Sequence, residues 1–193
     1  MVLNISVIFS SVREGRNGIK AAKFVVNKLK ERGHKVDLID PQVYKIPLLK
    51  KIYDDYPKGK APKNLEDIHK IFDKSDGFIV VSAEYNHSIP PALSNLIDHF
   101  GDEFCYKPSG IACYSTGSFG GVRAAMQLRA LLPEIGMPSI PTIFPMSRVD
   151  TSFNDSGKDL TGDYDKRIIN FLDEFEWYTN ALKEARKNGI PEE

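Results

Sequence analysis

Residues Val80–His99 read VVSAEYNHSIPPALSNLIDH, and the fold is decided in them. They are entered through Phe78-Ile79-Val80-Val81, an unbroken apolar run, mostly β-branched and too short for a helix. Such a run suits a central strand covered on both faces. Ser82 and Ala83 end it in small side chains, and Glu84, Tyr85 and Asn86 turn a polar corner. Ser88, Pro90 and Pro91 signal a helix start, because proline fits a first turn whose N–H groups have no partner anyway. Leu93, Leu96, Ile97 and Phe100 follow at helical spacing. Strand, polar loop and helix in that order mark the carboxyl edge of a parallel sheet, where open α/β sheets bind their ligands.

Outward from this stretch the same alternation repeats. Val2–Phe9 reads as a first strand and runs into the small, polar segment Ser10–Gly18. Ala21, Ala22, Phe24, Val25 and Leu29 form a helical stripe, closed by Lys28, Lys30, Arg32 and Gly33, a basic last turn and a glycine stop. Val36–Ile39 is a second strand and completes a right-handed βαβ unit. The 40–63 segment carries prolines at 41, 47, 57 and 62 and is either a solvated connection or a rim over the ligand edge. Leu65, Ile68, Ile71 and Phe72 mark a second helix ahead of the central strand. Ser109–Tyr114 is a fourth strand, Ser115–Gly121 a glycine-rich loop, and Val122–Ile135 a helix with Ala124, Leu128, Leu131 and Leu132 inward. Ser139–Phe144 is a fifth strand, Asp150–Gly162 a polar loop, and Ile168–Lys187 the last helix. Five strands alternating with five helices, without repeats or a shift in composition, predict one domain over residues 1–193. Its class is α/β, a three-layer, doubly wound, parallel five-stranded sheet.

Composition narrows the function classes. The 26 basic and 26 acidic residues cancel, so no global field favours nucleic acid or an anionic membrane. No apolar segment approaches the roughly 20 residues of a membrane span, and the N-terminus enters a strand with no basic leader, so a cytoplasmic chain is expected. Cys105 and Cys113 form no C-x-x-C, and with four scattered histidines they give no metal-ligand spacing. They are expected as buried or half-buried thiols in a reducing compartment.

With strands one, three and four adjacent, as in the order 2-1-3-4-5, the three unusual loops open on one edge of the sheet. The first offers hydroxyls at Ser10 and Ser11, guanidinium groups at Arg13 and Arg16, and the Asn17 amide just before Gly18. It stands at a helix N-terminus, where free N–H groups and the dipole favour an anion, although a solvated turn with an Asn cap explains the same residues. No G-x-G-x-x-G follows the first strand and there is no Walker lysine motif, so neither a Rossmann dinucleotide site nor a P-loop is supported. The second loop adds a flat aromatic, Tyr85, between the Glu84 carboxylate and the Asn86 amide. In the third, Ser115, Thr116 and Ser118 alternate with Gly117, Gly120 and Gly121, leaving backbone N–H groups little obstructed. Anion anchor, planar wall and backbone donors together suit a phosphorylated planar heterocycle. Arg123 and Arg129 are either solvated or directed at another subunit, and His87 and His99 read as surface or capping residues.

These loops resemble those of the NADPH-dependent FMN reductase family, flavodoxin-like quinone, azo-dye and chromate reductases. A G-S-x-R loop is matched by Ser10-Ser11-Val12-Arg13. The motif P-E-Y-N-x-S-x-P-G-x-L-K-N-x-I-D is matched by Ala83–Asp98, and G-G-x-R-A-x-x-x-L-R by Gly120–Arg129. Ser10, Ala83, Pro91 and Ser94 depart from the family's glycine, proline, glycine and lysine. The resemblance implies an FMN-dependent enzyme that takes two electrons from NADPH or NADH and passes them to a quinone, azo compound or free flavin, donor and acceptor alternating at one site. Ser11, Arg13, Arg16 and Asn17 would hold the FMN phosphate, Glu84, Tyr85 and Asn86 would border the isoalloxazine, and Ser115–Gly121 would close its pyrimidine edge. No side chain is assigned as a catalytic acid or base, because the redox chemistry belongs to the flavin. Apolar residues beyond one helical stripe, Ile89, Leu93, Leu96, Ile97, Phe100 and Met126, suggest a subunit interface, and the resemblance also implies a homodimer or homotetramer. The alternative is an electron carrier of the flavodoxin kind, against which the neutral charge counts, since carriers tend to show an acidic docking face.

Overall fold

The computed structural model describes residues 1–191. Its sheet runs β2-β1-β3-β4-β5, all parallel, from β1 (Asn4–Phe9), β2 (Lys35–Ile39), β3 (Gly77–Ala83), β4 (Ser109–Tyr114) and β5 (Ser139–Met146). The helices are α1 (Gly18–Glu31), α2 (Pro41–Tyr44), α3 (Lys63–Lys74), α4 (Pro91–Ile97), α5 (Val122–Glu134), α6 (Val149–Ser152) and α7 (Tyr164–Arg186). The flavodoxin-like order expected from sequence is the one observed.

Two apolar layers hold the helices to the sheet. Ile79, Val81 and Ala83 of β3 face α1 and α7, where Phe24, Phe171 and Phe175 are buried. Phe78 and Val80 face the other way, onto Phe72 of α3, Leu93 and Leu96 of α4 and Leu128 of α5. This two-sided burial is why β3 reads as an unbroken apolar run: every residue of it is buried. Leu93, Leu96, Ile97 and Phe100 also lie in this core, at 6% exposure or less, so they do not serve a subunit interface. Apolar side chains on a short helix between sheet and covering loop are needed on more than one face. Of the residues named for that interface, Met126 is the exposed one, at 53%.

The 40–63 segment is strapped onto α3 and α4. Asn95 exchanges hydrogen bonds with Leu49 N–H (2.8 Å) and the Pro47 carbonyl (2.8 Å). His99, buried rather than on the surface, meets the same carbonyl at 3.0 Å. Tyr53 stacks on His69 with ring centres 4.2 Å apart. Asp40 caps α2 by accepting from Gln42 N–H.

Candidate functional site

At the carboxyl edge of β1, β3 and β4 lies a cleft of about 300 Å³. Helix α1 enters it end-on. Its N-cap, Asn17, makes no side-chain capping bond, so the amide is not consumed by the turn. Arg13 is exposed on the rim, with its guanidinium 5.6 Å from the Tyr85 ring centre. Arg16 is differently placed. Its guanidinium grips both Asp40 oxygens at 2.6 and 2.5 Å and donates to the Ser11 carbonyl, so several of its donors are spent in fixing the loop.

The loop after β1 is stitched to β3. Ser11 Oγ and the Tyr85 hydroxyl lie 2.7 Å apart, and Ser10 Oγ accepts the N–H of Ala83 at 2.8 Å. The second contact explains two departures from the family motif together. Where the pattern has proline after the central strand there is no N–H to satisfy. Alanine restores one in a buried place, and a serine in the glycine position accepts it.

Asn86 and His87 both have positive φ, 50° and 62°, and Tyr85 and Ser88 exchange backbone hydrogen bonds across them. This is a tight turn of the I′ kind, in which Asn is tolerated at positive φ. It presents Tyr85 to the cleft while leaving Asn86 and His87 exposed. Glu84 also lines the cleft, with its carboxylate accepting Arg123 N–H at 3.0 Å and its guanidinium at 3.4 Å. It thereby caps α5, whose N-cap Gly121 has no side chain to do so. Arg123, read from sequence as solvated or intersubunit, is half of this intrachain tie. Arg129 likewise turns inward, onto the Ser139 hydroxyl and the β5 carbonyls.

Of the third loop, Ser115 and Thr116 line the cleft, while Gly117, Ser118, Gly120 and Gly121 are set back from it. The paired glycines serve the chain instead. Gly121 has φ 82°, and a Cβ there would lie 2.7 Å from the Tyr114 backbone, so the glycine lets α5 start against β4. Val149 of α6 supplies a further wall, with its N–H on the Ser115 carbonyl and that of Arg148 on Gly117. Glu14, Gly15, Ala83, Tyr114 and Val149 border the cleft without having been singled out from sequence. For Tyr114 the strand pattern gives only an inward residue. Val149 sits at a helix of a single turn, too short to show a period.

The cleft fits a flavin phosphate on its own terms. It has an open helix N-terminus, an exposed arginine and an aromatic wall, and beneath them a buried tyrosine hydroxyl that has no partner among the described residues. Among the described residues no group of three or more His, Cys, Asp or Glu side chains is arranged to hold a metal ion, and no helix is long and apolar enough to cross a membrane.

A family model described as NADPH-dependent FMN reductase matches residues 3–151. Quinone reductase from Escherichia coli (strain K12) is 30% identical over 137 residues, covering 67% of this chain and 69% of that protein. Quinone reductase from Pseudomonas putida (strain KT2440) is 25% identical over 164 residues, covering 81% and 84%. Among solved structures, FerB, a flavoenzyme NAD(P)H:(acceptor) oxidoreductase from Paracoccus denitrificans, superposes with a TM-score of 0.70 at 19% identity over 95% of this chain and 98% of that one. This last is a likeness of fold. The chain belongs to the NADPH-dependent FMN reductase family and is an oxidoreductase with FMN as its flavin and NAD(P)H as its electron donor.

Proposed function

We propose that this enzyme reduces a quinone or a similar small acceptor, using one cleft for donor and acceptor in turn. The observation that carries the reading is the convergence of Arg13, Tyr85 and the α1 N-terminus on one open cleft, in a chain whose relatives include quinone reductases. When bound, FMN supplies the two-electron chemistry and the protein supplies position and field. Ser11, Arg13, Asn17 and the first N–H groups of α1 bind the phosphate, the arginine as a charge-assisted donor. Arg16 acts mainly through Asp40, holding the loop that carries these groups. Gly18 lets the helix start close against Tyr114, where a Cβ would lie 2.0 Å from the ring. Tyr85 forms a wall for the ring, and Ser115 and Thr116 bring polar groups to its far edge. Ser10, Glu84, Gly120 and Gly121 keep the three loops in register, while Asn86, Gly117 and Ser118 are exposed outside the cleft lining.

A single open cleft supports alternation, because nothing in it separates a nicotinamide site from an acceptor site. Initial rates of NAD(P)H oxidation at several fixed quinone concentrations should give parallel double-reciprocal lines. Intersecting lines would mean that both substrates bind together and would reject the alternating scheme.

A further inference from the structure

Tyr114 ends β4 on the floor of the cleft. Its ring is 6% exposed and stacks on Phe9 with centres 6.1 Å apart. The hydroxyl is sealed from solvent and makes no hydrogen bond among the described residues. The Ser10 and Ser11 hydroxyls lie beside it, near enough to favour its charged form but outside full hydrogen-bond geometry. Both have other partners, Ser10 on the Ala83 N–H and Ser11 on the Tyr85 hydroxyl. A buried hydroxyl without a partner is a standing cost, and phenylalanine would pack the same ring without it. The unpaired oxygen thus points to a bound state in which it is used.

We infer that the Tyr114 hydroxyl is a positioning donor of the phosphate subsite, bonding Ser11 Oγ when Ser11 directs its own proton to the phosphate monoester of FMN. This rests on the FMN reading above and adds a residue to it. A serine hydroxyl has one proton and two lone pairs, so a Ser11 that donates to an anion can accept from Tyr114 at the same time. Burial holds the Tyr114 phenol well above its usual pKa, so it keeps its proton through the neutral range. The device acts on the phosphate and not on the ring. It therefore favours FMN over riboflavin, which has the same ring and no phosphate.

The test is Tyr114→Phe, with apoprotein titrated against FMN and against riboflavin by quenching of flavin fluorescence. The change removes one oxygen that bonds to nothing in the free protein and keeps the Phe9 stack. FMN affinity should fall roughly three- to tenfold, the range of one neutral hydrogen bond, and riboflavin affinity should stay within about twofold. In a Ser11→Ala background the same change should have no further effect on FMN. Equal losses for both flavins would make Tyr114 a wall of the ring pocket and overturn the inference. So would a raised melting temperature with an unchanged FMN-to-riboflavin ratio, the mark of a merely structural hydroxyl. A full effect persisting without the Ser11 hydroxyl would overturn the route through Ser11. Wild-type protein that binds neither flavin would remove the FMN reading itself, and this inference with it.

Discussion

Arg13 and Arg16 stand three residues apart in one loop and do different work. Arg16 is spent on Asp40, with side-chain exposures of 13% and 7%, and this pair fixes the loop to the start of α2. Removing the carboxylate leaves a largely buried guanidinium without its partner, a loss of about 3–5 kcal/mol in comparable pairs. Asp40→Ala should therefore lower the free energy of unfolding by that order in a urea titration. A change under about 1 kcal/mol would show the pair to be incidental. Arg13 is exposed, and among the described residues its guanidinium meets the face of Tyr85. A charge-assisted hydrogen bond contributes about 1.5–3 kcal/mol. Arg13→Ala should then weaken FMN binding roughly ten- to a hundredfold, with the unfolding midpoint unmoved. Unchanged affinity would take Arg13 out of the phosphate subsite. Sequence alone cannot separate the two arginines, because the acidic partner of Arg16 lies 24 residues on, at the end of another strand.

At the scale of elements, the legible parts are those whose burial has a period. The α1 stripe and the apolar run of β3 are found in sequence because each covers a continuous hydrophobic layer. Strand β5 extends two residues past its expected end, through Pro145 to Met146. It pairs with β4 alone, and on an edge strand a proline forfeits only a hydrogen bond on the free side. Helix α7 starts four residues early, at Tyr164, because its first turn is anchored by side-chain bonds that carry no hydrophobic period. The Tyr164 hydroxyl meets Ser147, and Asp159 accepts the N–H of Asp165. The Ser10–Ala83 tie links β1 to β3 in the same non-periodic way. Ser10→Gly should cost about 1–3 kcal/mol by leaving the Ala83 N–H buried and unpaired. Adding Ala83→Pro should recover most of that loss by removing the donor. If the double variant were as unstable as the sum of the two single ones, the two positions would not be coupled.

For the whole molecule, the sequence displays the topology and the edge at which the three loops meet, because parallel order and loop position follow from element order. It does not display which loop residues turn inward. Glu84 caps α5 from across the sheet edge, Asn86 sits in an exposed turn closed by Tyr85 and Ser88, and Gly121 and Gly120 let the third loop pack against β4 and β5, choices that leave no hydrophobic period. We propose a homodimer or homotetramer on the strength of exposed apolar side chains on the third loop and α5, Phe119 at 62% and Met126 at 53%. Light scattering at micromolar concentration should give a multiple of the 21.7 kDa chain mass, and a monomer would count against that assembly. The central claim is that this chain is an enzyme that takes electrons from NAD(P)H, not a carrier that only receives them from another protein. Its most direct test is anaerobic mixing of the FMN-loaded protein with NADH and, separately, NADPH, while the flavin absorbance is followed. Bleaching by at least one nicotinamide, and return of the colour when quinone is added, is the predicted result. Flavin bands that stay unchanged with both nicotinamides would contradict the account.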